Sequence, residues 1–401
     1  LDGIEWSSLT HIGQQAFQFY SMSDPELTSS LKLELTENTF QSLTSIGEGA
    51  FSGCSGVTGK VVFPESITEI PNSVFSGTGI TDVDFSHITS IGNGAFKDCA
   101  GLTELKLSDS VTAIGDSAFS GTGISGELVL PDSITKIGSS AFYDLKITGS
   151  LILPKSLTAL GTRAFYKTEV SEVMIPGSLK IIGTYSFYQC PNLSNVVFSE
   201  GVETIGTAAF TGTQLSSLEL PNSVETIEAG AFSTCANLTS VQIGVKGEGA
   251  SKLKSIGRKA FNNDTSITYF YIEASKANVN IPDNTATNIT IPSTVTVQYA
   301  ITSDGENINT GREITLEEDI ASAKENEETV LTADKEFVIN RTINIPAGKT
   351  IILTSDKKLA VLSNRFAGPV FNVEKGATLI LDGELSFPCH LITNGTFAKV
   401  K

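Results

Sequence analysis

One short pattern constrains this chain more than any other feature. The motif I/L-G-x-x-A-F recurs eleven times with small variations. Its phenylalanines are Phe17, Phe51, Phe75, Phe96, Phe119, Phe142, Phe165, Phe187, Phe210, Phe232 and Phe261. Successive copies stand 34, 24, 21, 23, 23, 23, 22, 23, 22 and 29 residues apart. A sustained period in the twenties indicates a solenoid, in which each unit buries its apolar side only against neighbouring units. The fold class expected is therefore a β-rich repeat solenoid.

One coil can be read physically from LSSLELPNSVETIEAGAF, residues 215–232. Leu218 and Leu220 flank Glu219, the alternation of a strand with one wet face. Pro221 lacks an N–H and ends the strand. Val224 and Ile227 point inward, then Ala231 and Phe232 bring a small and a large apolar group to the core. In most coils a glycine follows the isoleucine, where the chain turns sharply or packs closely. The stacked phenylalanines are expected to form a continuous spine. The array frays at both ends: SMSDPELTSS (21–30) enlarges the gap between the first two repeats, and NITIPSTV (288–295) copies half a unit, as a terminal cap does.

The full pattern, L-x-L-P-x-S-V/I-x-x-I-G-x-x-A-F-x-x-C/T-x-x-L, resembles the BspA-like leucine-rich repeats of bacterial and some protozoan surface proteins, over roughly residues 1–300. The resemblance implies a right-handed superhelix with a parallel sheet on one face. It also implies a secreted or cell-surface protein, bacterial in type, that adheres to host or neighbouring-cell proteins. The chain starts at Leu1, so any secretion signal is taken to have been removed before this numbering.

Beyond residue 300 the pattern changes. TLEEDIASAKENEE (315–328) reads as a short helix with Thr315 and Glu318 as a capping box, within an acidic linker over 301–328. INIPAGKTIILTSD (343–356) is then echoed 28 residues later by FNVEKGATLILDG (371–383). That echo is similar to the opening coils of a right-handed parallel β-helix of the pectate-lyase-like kind. It places a small β-helix-like domain over 329–401 that breaks off mid-pattern. Asp356 and Asp382 read as turn positions after strands, so no catalytic cluster is expected.

Charge and residue usage exclude several functions. There are 27 Lys and Arg against 44 Asp and Glu, a net charge of −17. That balance repels phosphate backbones and anionic lipid surfaces. No apolar run approaches the roughly 18 residues of a membrane span. Cys54, Cys99, Cys190 and Cys235 each follow their phenylalanine by three residues, where Thr78, Thr122, Thr168 and Thr213 stand in other repeats. Neighbouring coils lie about 4.8 Å apart, so the nearest pairs are ~10 Å apart, beyond the ~7 Å reach of a disulfide. Reduced thiols are expected, Cys389 included. No CxxC or CxxH spacing supports a metal, and His11, His87 and His390 fall in separate coils or domains. The chain is read as a non-enzyme without cofactor, and as a monomer.

Two groups of residues stand out as candidate contact surface. The outward middle residue of each main strand reads Glu34, Val62, Asp84, Lys106, Val129, Ile152, Met174, Val197, Glu219 and Gln242. Four consecutive coils are apolar there, and Val129, Ile152, Met174 and Val197 are expected to form one stripe rimmed by Glu127 and Glu172. The opposing reading is that β-branched residues simply favour strands. Tyr143, Tyr166 and Tyr188 follow three consecutive phenylalanines and are expected to stack, as a structural ladder or as an exposed interface anchor. The main functional reading is a protein-binding module for an apolar, basic-rimmed partner. The alternatives are a stalk that carries a later domain outward, and a carbohydrate-binding or carbohydrate-active β-helix protein.

Overall fold

A computed structural model describes residues 4–18, 32–245, 251–275, 279–281 and 291, and beyond them Ala347 and the strands between 297 and 400. The chain divides into two compact units, Leu1–Tyr299 and Ala300–Lys401.

The coil between Ser150 and Ser171 shows how the first unit is built. Ser150–Ile152 is a main-sheet strand, with Leu151 and Leu153 buried and Ile152 outside. Pro154 ends it, and its carbonyl accepts the Leu157 N–H at 3.0 Å to close a turn. Ala159–Leu160 is a two-residue strand of a second sheet, pairing in parallel with Lys136–Ile137. Gly161 follows, and Phe165 then fills the interior. The Phe165 N–H donates to the Ser186 carbonyl of the next coil at 2.9 Å, and the Phe142 N–H to Ala164 at 2.8 Å. This coil is thus tied to its neighbours on three sides.

The phenylalanine spine is unbroken. Ten successive ring pairs from Phe17 to Phe261 are stacked, with centroids 5.1–6.1 Å apart and planes within 13°. Phe51 onward, every one of these rings is fully buried. The repeat glycine serves close packing: a Cβ on Gly138 would stand 2.5 Å from the Asp116 nitrogen one coil away.

The four described cysteines are buried. They share a column with the threonines. Cys99 Sγ donates to the Phe75 carbonyl at 2.9 Å and meets Thr78 Oγ1 at 3.4 Å, and Cys190 repeats the contact with Thr168 at 3.4 Å. Burial pushes the Cys190 and Cys235 thiols up to about 12, which removes the reactive thiolate.

The main sheet departs from the uniform strand per coil that the alternation suggests. Thr103–Leu107, the segment carrying Lys106, belongs to no strand. Three other coils instead carry an extra glycine. Gly59 and Gly126, with Gly149 one coil further, sit at φ of 89°, 82° and 76°, backbone that favours glycine. Where two such coils meet, the register is Ser125↔Lys146 and Glu127↔Thr148, two residues off the repeat.

In the second unit, Glu328–Thr332, Thr350–Ser363, Thr378–Ser386 and Thr396–Val400 form one parallel sheet. Ile343–Ile345, Phe371–Val373 and Ile392–Thr393 form another. The turn positions expected for Asp356 and Asp382 are overturned. Asp382 pairs with Thr354 inside a continuous ladder, and Asp356 lies in strand Thr350–Ser363 at a register shift. The helix expected over 315–328 lies outside the described residues except for Glu328, which begins a strand. The insert at 21–30, the cap at 288–295 except Ile291, and Cys389 and His390 also lie outside them.

Candidate functional site

The structure places the four apolar strand residues on the outer face of the main sheet. Val129 is 75% exposed, Ile152 58%, Met174 41% and Val197 43%. The residues flanking them, Leu128, Leu130, Leu151, Leu153, Val173, Ile175 and Val196, are buried, with Phe198 half-buried. Parallel pairing sets Ile152 directly beside Met174, and Met174 beside Val197. Val129 holds the equivalent place one coil earlier, just past the Gly126 bulge and outside any assigned strand. Three members of the row are therefore joined by the ladder, and the fourth follows from local alternation.

The two glutamates are held differently. Glu172 pairs across the sheet with Ser150 and Asn195, and its carboxylate accepts from Asn195 Nδ2 at 2.6 Å and Ser150 Oγ at 3.2 Å. Glu127 is exposed on the bulged arm and lies over Gly149, where a Cβ would stand 3.1 Å from its Cγ. Towards the C-terminal end the same row turns polar at Glu219 and Gln242, paired directly. Desolvation holds the Glu219 carboxyl above the usual carboxylate range, although the residue as a whole reaches solvent.

The tyrosines form a second group, on the turn-rich third side of the coils rather than in either sheet. Tyr143 and Tyr166 stack at 4.8 Å and 6°, and Tyr166 and Tyr188 at 5.1 Å and 11°. Three neighbours that the sequence pattern did not single out complete this group. Tyr185 meets Tyr188 edge-on at 5.4 Å, the Arg163 guanidinium lies 5.2 Å from the Tyr185 centroid, and Lys167 Nζ lies 5.5 Å from that of Tyr166. Arg163 and Tyr185 both stand two residues before their phenylalanine in consecutive coils, a signal visible in the repeat alignment. Among the described residues no group of three or more His, Cys, Asp or Glu is placed to hold a metal ion. No helix among them is long and apolar enough to cross a membrane.

A family model described as BspA type leucine-rich repeat region matches in six copies, over residues 10–148, 125–239, 158–287 and 204–315. The chain belongs to that family. Among solved structures, this BspA-type chain is similar to a leucine-rich repeat protein from Bacteroides ovatus at 21% identity and a TM-score of 0.45, covering 73% of this chain and 87% of that one. It is also similar to a leucine-rich cell surface protein from Faecalibacterium prausnitzii, at 23% identity and a TM-score of 0.37 over 70% and 78%. The pneumococcal vaccine antigen PcpA matches at 19% identity and a TM-score of 0.34 over 73% and 79%. No curated protein matches the chain.

Proposed function

We propose that this BspA-type protein is a secreted or surface-displayed protein-binding module that mediates adhesion to proteins of a host or neighbouring cell. Its contact surface is the row Val129, Ile152, Met174 and Val197, with Glu127 and Glu172 at its edge. The observation that carries this reading is the change of the outer row from polar to apolar over four successive coils, while the buried phenylalanine stack continues unaltered. Contiguous exposed apolar surface on a soluble protein marks an interaction site when it reaches a few hundred Å². The acidic rim in a chain of net charge −17 selects a partner whose apolar centre is bordered by Lys and Arg. In this reading the chain binds as a monomer and performs no catalysis. Residues 1–300 do the binding, 301–328 link, and 329–401 are an accessory domain similar to a pectate-lyase-like β-helix.

The test is a binding screen of the full chain against purified matrix and cell-surface proteins at low and high salt. A saturable complex is expected, with association slowed by salt because the rim steers the encounter. A partner that binds the Ile152→Asp/Met174→Asp variant as tightly as the parent chain would remove the row from the interface. A chain that bound no protein in the screen would leave the stalk as the better account.

A further inference from the structure

The third side of the solenoid carries a second, chemically different surface that owes nothing to the apolar row. On the coils before and after it, the positions just around each phenylalanine are small: Ser117, Ser120 and Gly121 on one side, Ala208, Thr211 and Gly212 on the other. Between them stand four tyrosines and two cations. The aromatic cluster therefore rises from a flat, hydroxyl-rich surface. The inner ring, Tyr166, is covered on both faces by Tyr143 and Tyr188. Tyr143 ends the stack, and the residue in its position one coil earlier is only Ser120.

Two features of this cluster are unspent in holding the fold. The hydroxyls of the half-buried Tyr143, Tyr166, Tyr185 and Tyr188 have no hydrogen-bond partner among the described residues and are left to solvent or a ligand. Arg163 and Lys167 make no ion pair among them either, and rest against ring faces or edges. Elsewhere in this acidic chain lysines do find carboxylates, as in Lys146–Glu169 at 2.7 Å and Lys180–Glu203 at 3.2 Å. Two cations outside any ion pair thus stand beside a row of half-buried phenols in an otherwise acidic chain. Guanidinium is also the group suited to bidentate recognition of a planar carboxylate or a sulfate.

We infer that this surface binds an acidic oligosaccharide, with a sugar ring against the free face of Tyr143, hydroxyls along the phenol row, and an acid group on Arg163 and Lys167. The observations favour a glycan over an acidic peptide. A ring face bordered by serine suits the alternating C–H and O–H edges of a sugar, and a regularly spaced row of phenols suits a polymer of repeating units. Asp144 holds the Lys167 position one coil earlier and is exposed, so the acid group faces the Arg163 end and avoids Asp144.

Calorimetric titration of the full chain decides the matter, with a galacturonate hexasaccharide and a chondroitin sulfate hexasaccharide as probes. Neutral maltohexaose and polyglutamate of matched charge serve as controls. One or both acidic sugars should bind, and which of them does so distinguishes carboxylate from sulfate as the acid group. Arg163→Ala/Lys167→Ala and, separately, Tyr143→Ser should each weaken that binding at least about tenfold, with melting temperatures shifted far less than by loss of the inner ring. Asp144→Asn should tighten it. Ile152→Asp/Met174→Asp should leave it unchanged, which separates this site from the protein-binding row. Equal binding of polyglutamate, equal binding of maltohexaose, or no binding by either acidic sugar would each overturn the inference.

Discussion

The coils bearing Ile152, Met174 and Val197 and those bearing Glu219 and Gln242 share one interior and wear different exteriors. Inside, Phe165 stacks on Phe187 at 5.5 Å and 3°, and Phe210 stacks on Phe232 at 5.4 Å and 5°. Outside, the strands Glu172–Ile175, Asn195–Phe198, Ser217–Leu220 and Ser240–Ile243 are each four residues long and pair in parallel. Strand propensity favours valine and isoleucine, yet strands of the same length form with glutamate or glutamine in the outward place. Folding therefore does not call for apolar residues there. The difference between the two regions teaches that the interior fixes the coil and leaves the outer row free to carry function.

The largest effect tests the shared interior. Phe165→Ala in the central region and Phe232→Ala in the C-terminal one should each cost about 3–5 kcal/mol, since both open a cavity in the same stack. Denaturant unfolding measures both, and clearly unequal losses would break the claim that the two regions share a core. The next effect sharpens the contrast on the third side. Tyr166→Ser removes two ring stacks and should cost about 1–3 kcal/mol, whereas Thr211→Ser, in the same position two coils on, should be close to neutral. A loss of the same size at both would mean that the ladder adds nothing to its coils.

A pH-dependent effect separates the end of the array from its middle. Asp264 takes the column position that Thr213 and Cys235 hold. Its Oδ1 accepts the Cys235 N–H at 2.7 Å, its Oδ2 has no partner among the described residues, and burial pushes its pKa up to about 8 from 3.8. Between those values the folded chain keeps a proton that the unfolded chain has released. Stability is then fully present below about pH 3.8 and falls by up to ~1.4 kcal/mol per pH unit until the folded carboxyl ionises near 8. Asp264→Asn should remove that slope, as melting at about pH 5 and about pH 8 would show. An identical slope in the variant would place the titration elsewhere.

Most of the solenoid was legible because its constraints are local and repeated. The spacing of the phenylalanines located the spine, and the shared offset of Cys54, Cys99, Cys190 and Cys235 identified a column of separated thiols. Alternation around Ile152 was enough to put it in water. What escaped was set by neighbours. The glycines at 126 and 149 look like ordinary loop residues until their left-handed backbone shifts the register of adjoining coils. Asp264 stands in the buried column of Thr213 and Cys235, and only the coil before it, through the Cys235 N–H, shows how a carboxylate is held there. Arg163 and Tyr185 meet only through coil stacking, and Asp356 and Asp382 sit within strands because the ladders run on past the apolar run that suggested an end.

The central claim is that the outer row of the middle coils binds a partner while contributing little to the fold. The most direct measurement is the affinity for a partner captured by the parent chain, taken together with the melting temperature, for Ile152→Asp/Met174→Asp and for Gln242→Asp. The account predicts that the double change abolishes binding, that Gln242→Asp preserves it, and that all three proteins melt alike, as exposed substitutions do. Binding that survives the double change in a folded chain would contradict it.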